Sequence, residues 1–253
     1  MKKKILLFIL VITCSNCAKK PISNVIYDTI SYMSPNKSDT INHIKKDTIT
    51  YMALGDSYTI GESVTQNQSF PYQLYNSLNL YFSNNNILQY CSAPTILATT
   101  GWTTDNLIGA IAQNGLASKR FTIVTLLIGV NDQYQNLSIN NYEIKFQEVL
   151  NSAIIIANGN PKNVFVLSIP DYGVTPFANG RENIIGPEID NFNAVNFRIS
   201  SQLGVQYLNI TDISKEAAFY PNLIATDGLH PSATMYQLWV SQLMPLVAQQ
   251  FKK

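Results

Sequence analysis

From Thr48 to the C-terminus, short apolar runs rich in β-branched residues alternate with longer stretches in which apolar residues recur every three or four positions. The short runs are Ile49 to Leu54, Phe121 to Ile128, Asn163 to Ile169 and Val205 to Ile210, with a further one across Gln89 to Ala98. The longer stretches, Phe70 to Phe82, Thr103 to Ala112, Asn140 to Ala157, Glu188 to Leu203 and Ser232 to Phe251, carry helical spacing. Phe121 to Ile128 (FTIVTLLI) is apolar at six of eight positions with no period of two, which predicts a central strand covered by helices on both faces. Strand and helix in alternation predict α/β class: a single three-layer α/β/α domain, residues 48–253, around a mostly parallel sheet.

The first 47 residues follow neither period. Met1 to Lys4 is basic, and Ile5 to Ile12 (ILLFILVI) is an unbroken apolar run of eight. That run is too short to span a bilayer, which needs about 20 residues in a helix, but it suits the apolar region of an export signal. Cys14 and Cys17 follow it directly, and a cysteine there resembles the cleavage and lipidation site of bacterial lipoproteins, so residues 1–17 read as a signal with Cys17 or Cys14 as the lipidated residue. Residues 18–47 are rich in Ser, Thr, Asn, Asp and Lys and read as a flexible tether, with His43 a solvated linker residue. The expected address is the bacterial cell envelope, with membrane contact through a lipid anchor only.

Composition narrows the options. With 46% hydrophobic and 13% charged residues in 253, the chain supports a sizeable core and is not disordered throughout. Lys plus Arg number 17 against 16 for Asp plus Glu, and removal of Lys2, Lys3 and Lys4 with the signal leaves 14 against 16. No basic stripe for nucleic acid exists. Three cysteines cannot make a disulfide framework, neither CxxC…CxxC nor HExxH spacing occurs for a metal, and Cys91, in apolar company, reads as a buried small hydrophobe.

In open parallel sheets ligands bind beyond the carboxyl ends of the strands. Reading those ends in order gives Gly55-Asp56-Ser57-Tyr58, then Thr100-Gly101-Trp102, then Gly129-Val130-Asn131-Asp132, and, before the last helix, Asp227-Gly228-Leu229-His230-Pro231. A serine hydroxyl needs a base to become a nucleophile, and His230 is the sole histidine after the tether. A histidine base needs an acceptor on its other ring nitrogen, and Asp227 lies three residues upstream in the same loop. The tetrahedral intermediate of acyl transfer needs donors, which the Ser57 and Gly101 backbone N–H groups and the Asn131 amide are placed to supply, Gly101 allowing close backbone approach.

These four segments resemble, in order, the four blocks of the SGNH (GDSL) hydrolase family, whose initials correspond here to Ser57, Gly101, Asn131 and His230. The resemblance implies a flavodoxin-like sheet and serine esterase chemistry with no metal and no organic cofactor. In it Ser57 is the nucleophile, His230 the base, Asp227 its orienter, and Gly101 and Asn131 part of the oxyanion hole. Tyr58 departs from the leucine in the block's name.

Around this core, Asp56 and Asp132 are expected to hold their loops through backbone hydrogen bonds, while Tyr58 and Trp102 either line the acyl pocket or pack beside it. Ile169 to Phe177 (IPDYGVTPF) predicts a structured loop on the same edge, with Tyr172 or Phe177 in reach of substrate; Asn179 to Gly186 is expected as a mobile rim, with Arg181 solvated or meeting an anion. The substrate class is a small-molecule or carbohydrate ester, an O-acyl sugar or a short or lipid-like ester. Two other functions fit the same chain: an acyltransferase using the same residues, and a non-catalytic binding lipoprotein.

Overall fold

The computed structural model describes residues 47–251; the expected signal and tether, with Cys14, Cys17 and His43, lie outside the described residues except for Asp47, the expected last tether residue, which instead pairs with Gln89 in a strand. The strands are β1 (Asp47–Ile49), β2 (Tyr51–Gly55), β3 (Gln89–Cys91), β4 (Thr95–Ala98), β5 (Ile123–Leu127), β6 (Val164–Leu167) and β7 (Gln206–Leu208). The helices are α1 (Ser57–Ile60), α2 (Phe70–Asn84), α3 (Thr104–Gln113), α4 (Val130–Tyr134), α5 (Ile139–Ile156), α6 (Glu182–Gln202), α7 (Thr211–Lys215) and α8 (Ala233–Ala248).

Five strands form a sheet in the order β4-β2-β5-β6-β7, and every pairing in it is parallel. The chain winds from β2 outward to β4 and then returns past β2 to β5, so the winding direction reverses between the carboxyl ends of β2 and β5. This flavodoxin-like order opens a crevice there. Helices α2 and α8 pack together, and α3, α5 and α6 pack in series, giving the two outer layers. Strands β2, β5 and β6 are buried along their whole length, as a sheet covered on both faces demands. One polar pair bridges buried strands: the Tyr51 hydroxyl meets Thr125 Oγ1 at 2.9 Å across β2 and β5. Under α2 and α8, Phe70, Tyr236 and Trp239 stack at centroid distances of 5.0 to 6.3 Å. Truncating fully buried Trp239 to Ala would cost about 3–5 kcal/mol.

Three expectations need correction. The runs Ile49 to Leu54 and Gln89 to Ala98 are each broken in two: Ile49 pairs with Cys91 but Met52 with Thr95, so one extra residue lies between the pieces on the outer strand. Pro94 sits in that gap, and a residue without an N–H is tolerated there because the strand is at the sheet edge. Second, Asn179 to Gly186 is not a rim loop throughout, because α6 begins at Glu182 and buries Ile185 and Gly186. Pro187 signals a helix boundary in the sequence, yet it lies inside α6. Gly186 before it has no Cβ to crowd the proline ring, and it also abuts the Asp171 carboxylate, where a Cβ would come within 3.1 Å. Third, α8 ends at Ala248 and finishes in a 3-10 turn, Gln249–Phe251.

Candidate active site

The turn after β2 is built by close packing. A Cβ at Gly55 would lie 2.1 Å from Thr59 Oγ1 and 2.3 Å from the Leu127 carbonyl, so only glycine lets α1 fold back over the strand end. Asp56, in extended backbone, caps α1 by accepting the Tyr58 N–H at 3.0 Å. Ser57 is the first residue of the helix, and its own N–H is engaged by no backbone carbonyl.

After β4 a turn closes with Trp102 N–H donating to the Thr99 carbonyl at 3.2 Å and Gly101 at φ +83°. None of the chain's own atoms lies within 4 Å of a Cβ built there, and the left-handed φ is what the turn requires. After β5, α4 carries Asn131, whose Nδ2 donates one hydrogen to the Trp102 carbonyl at 2.9 Å, fixing the amide plane and leaving its second hydrogen unspent. Asp132 on the same turn accepts from Thr104 N at 3.0 Å and Thr104 Oγ1 at 2.6 Å, tying α4 to the start of α3. Burial pushes the Asp132 carboxyl up, against these hydrogen bonds.

The fourth piece is a closed loop. Ile224 and Pro231 form an antiparallel bridge, Ala225 N–H donates to the His230 carbonyl at 2.8 Å, and Gly228 turns the tip at φ +75°. Inside it Asp227 Oδ1 accepts the Leu229 and His230 N–H groups at 2.9 and 3.0 Å, and Oδ2 lies 2.6 Å from His230 Nδ1. Ser63 Oγ donates to the same Oδ2 at 2.5 Å. Partial burial works to raise the Asp227 carboxyl, but the bonds from Ser63, His230 and the two amides outweigh it and hold it well below the usual carboxylate range. With Nδ1 committed to a carboxylate, His230 carries its free lone pair on Nε2.

Ser57, Tyr58, Gly101, Asn131, Tyr172, Phe177 and His230 line one cleft of about 150 Å³. Thr100, Val130, Tyr134 and Leu229 complete it. Ser57 and His230 both line this space. Ser57, Gly101 and Asn131 give its lining polar groups, and Tyr134, Tyr172 and Phe177 form a wall of three mutually packed rings with centroids 5.9 to 6.3 Å apart. The Phe177 N–H donates to the Gly228 carbonyl at 3.0 Å, joining that wall to the histidine loop. Tyr58 packs its ring 5.4 Å from the imidazole.

Trp102 contributes its carbonyl and packs its side chain on the core, outside the cleft lining. Asp56 and Asp132 are buried and outside the lining, and Arg181 is exposed and outside it. Cys91 is fully buried, its thiol pushed up to about 12 by desolvation. Sequence reasoning missed Tyr134, which shares a helical turn with Asn131, and Ser63, whose partner is 164 residues away.

A serine at a strand-to-helix turn, an aspartate-bound histidine and unspent amide donors, gathered at the reversal point of a parallel sheet, are the parts of a serine hydrolase. Residues 53–238 match the model of the GDSL-like Lipase/Acylhydrolase family, and the chain belongs to that family. It is an ester-hydrolysing serine hydrolase. The fold is similar to those of a putative GDSL-like lipase from Parabacteroides merdae (17% identity, 80% of this chain and 97% of that one, TM-score 0.64) and of the psychrotrophic esterase EstA from Pseudoalteromonas sp. (15%, 81% and 98%, 0.56). It is also similar to that of Axe2, an acetylxylan esterase from Geobacillus stearothermophilus (14%, 83% and 97%, 0.59). A search of curated proteins gives no significant match.

Proposed function

We propose that the protein hydrolyses small carboxylic esters through an acyl-enzyme on Ser57. His230 Nε2 takes the Ser57 proton as Oγ bonds to the ester carbonyl carbon, and the Ser57 and Gly101 N–H groups with the free Asn131 hydrogen receive the oxyanion. The C–O bond then breaks, His230 returns the proton to the departing alkoxide, and water releases the acyl group by the reverse sequence. The observation that carries this reading is the Asp227–His230 pair at 2.6 Å, facing the same cleft as Ser57.

The cleft's size supports the substrate class. A cleft of about 150 Å³, on the scale of a cavity that holds benzene, supports a short acyl part seated against Tyr134, Tyr172 and Phe177. The likeness to an acetylxylan esterase supports an O-acyl carbohydrate as the substrate. The test is a series of p-nitrophenyl esters: kcat/KM should peak between acetyl and hexanoyl and fall at least tenfold by dodecanoyl. A serine-directed phosphonate should label Ser57. A rate that keeps climbing through dodecanoyl refutes the short-acyl reading, and labelling of another serine refutes the mechanism.

The basic start, the apolar run and Cys14 or Cys17 support export and a lipid anchor at the cell envelope. Changing both cysteines to Ser should move the protein from the membrane fraction to the soluble one with specific activity intact.

A further inference from the structure

The segment just after the nucleophile helix touches both other halves of the site. Gly61, at φ +80°, and Glu62 each donate an N–H to the Ser57 carbonyl at 3.1 Å, so the segment hangs from the nucleophile's own backbone. Its next residues reach in two directions: Glu62 Oε2 accepts the Thr100 hydroxyl beside Gly101, and Ser63 Oγ donates to Asp227 Oδ2 at 2.5 Å. The turn closes with Val64 N–H on the Gly61 carbonyl at 3.2 Å.

Ser63 sits at φ +65°, a conformation that glycine takes more readily than any other residue. What serine adds over glycine here is its hydroxyl, and that hydroxyl goes to the carboxylate holding the histidine. With it, Asp227 has four donors for about four lone-pair directions: Leu229 N and His230 N on Oδ1, His230 Nδ1 and Ser63 Oγ on Oδ2. Three of these come from its own loop. Ser63 alone ties the carboxylate to the Ser57 side, so it sets the histidine loop relative to the nucleophile.

We propose that the Gly61–Ser63 turn is a brace of positioning residues, with Ser63 registering the Asp227–His230 loop, and Glu62 the Thr100–Gly101 turn, against the nucleophile. The inference rests on the reading of Ser57, Asp227 and His230 given above. Neither residue touches substrate; each acts through the group it holds.

The experiment measures kcat, KM and thermal midpoint on a short-acyl p-nitrophenyl ester. Ser63→Gly removes the hydroxyl while suiting the backbone, so relief at the positive φ offsets the lost bond and the midpoint should stay near that of wild type. Its kcat should fall about tenfold, the scale of one charge-assisted hydrogen bond partly open to water, with KM within about twofold. In an Asp227→Ala background the same change should have no further effect on kcat. Likewise Glu62→Ala should slow wild type about fivefold and leave Thr100→Val unaffected. A Ser63→Gly enzyme as fast as wild type, or one that loses the same factor without Asp227, overturns the brace. So does additivity of Glu62→Ala and Thr100→Val. Ser57→Ala and His230→Ala run alongside: if they retain activity the reading of the site fails, whereas if they are inactive and Ser63→Gly is not impaired, only the brace fails.

Discussion

Asp56, beside Ser57, and Asp227, beside His230, are two carboxyls of one site in opposite circumstances. Asp56 is 1% exposed, takes one backbone donor from Tyr58, and leaves Oδ2 without a partner. Burial, aided by the nearby Asp132 and opposed by the Tyr58 bond, pushes its pKa up to about 8. Asp227 is also partly desolvated, but its four donors win and keep it ionised. Burial alone neutralises a carboxyl; donors preserve its charge. The arrangement suits acyl transfer, since a permanent negative charge is useful where an imidazolium forms and harmful next to a developing oxyanion.

The comparison breaks most visibly at the groups it serves. Ser57→Ala should lower kcat by about 10⁴ or more with the fold intact, measured by steady-state kinetics and circular dichroism. Asp227→Asn should cost about 10³–10⁴ by favouring the wrong imidazole tautomer, and a rate near wild type would detach Asp227 from His230. Asn131→Ala should cost about 10²–10³, nearly all in kcat; an effect confined to KM would make Asn131 a substrate-binding group instead.

The smallest effect in rate is the sharpest test of the contrast. Asp56→Asn keeps an acceptor for the Tyr58 N–H and should leave kcat within about threefold. Its signature lies in stability. A carboxyl raised from 3.8 to about 8 binds its proton more tightly when folded, so its contribution is complete below about pH 4 and is lost as pH climbs toward 8. The melting temperature of Asp56→Asn should therefore gain on wild type from pH 4 to 8. Asp227, held below its ordinary value, has the opposite sign: its contribution is present above about pH 4 and is lost as pH falls. The deficit of Asp227→Asn should therefore shrink on acidification. Two variants whose melting curves shift in parallel with pH would erase the contrast.

The parallel α/β architecture was legible because each buried strand is a continuous apolar run and each helix a periodic one. The edge was less legible. Pro94 breaks a strand that periodicity joins, and Pro187 stands within a helix because Gly186 relieves the crowding a side chain would cause. The four chemical segments were readable because each packs its groups into three or four consecutive residues at a strand end. Asp227 and His230, for example, meet through a local turn closed by the aspartate's own bonds to the amides of Leu229 and His230.

Local chemistry therefore determined which groups the protein carries: a serine after a strand, an Asp-x-x-His turn, an amide after the central strand. Whether those groups share a cleft is decided by the order β4-β2-β5-β6-β7, which sets the ends of β2 and β5 side by side. The aromatic wall of Tyr134, Tyr172 and Phe177 and the Ser63–Asp227 bond are likewise products of tertiary structure alone. Their partners come from separate loops, and no periodicity in a chain encodes which loops will meet; closing a long loop costs entropy that only the packed core between them offsets.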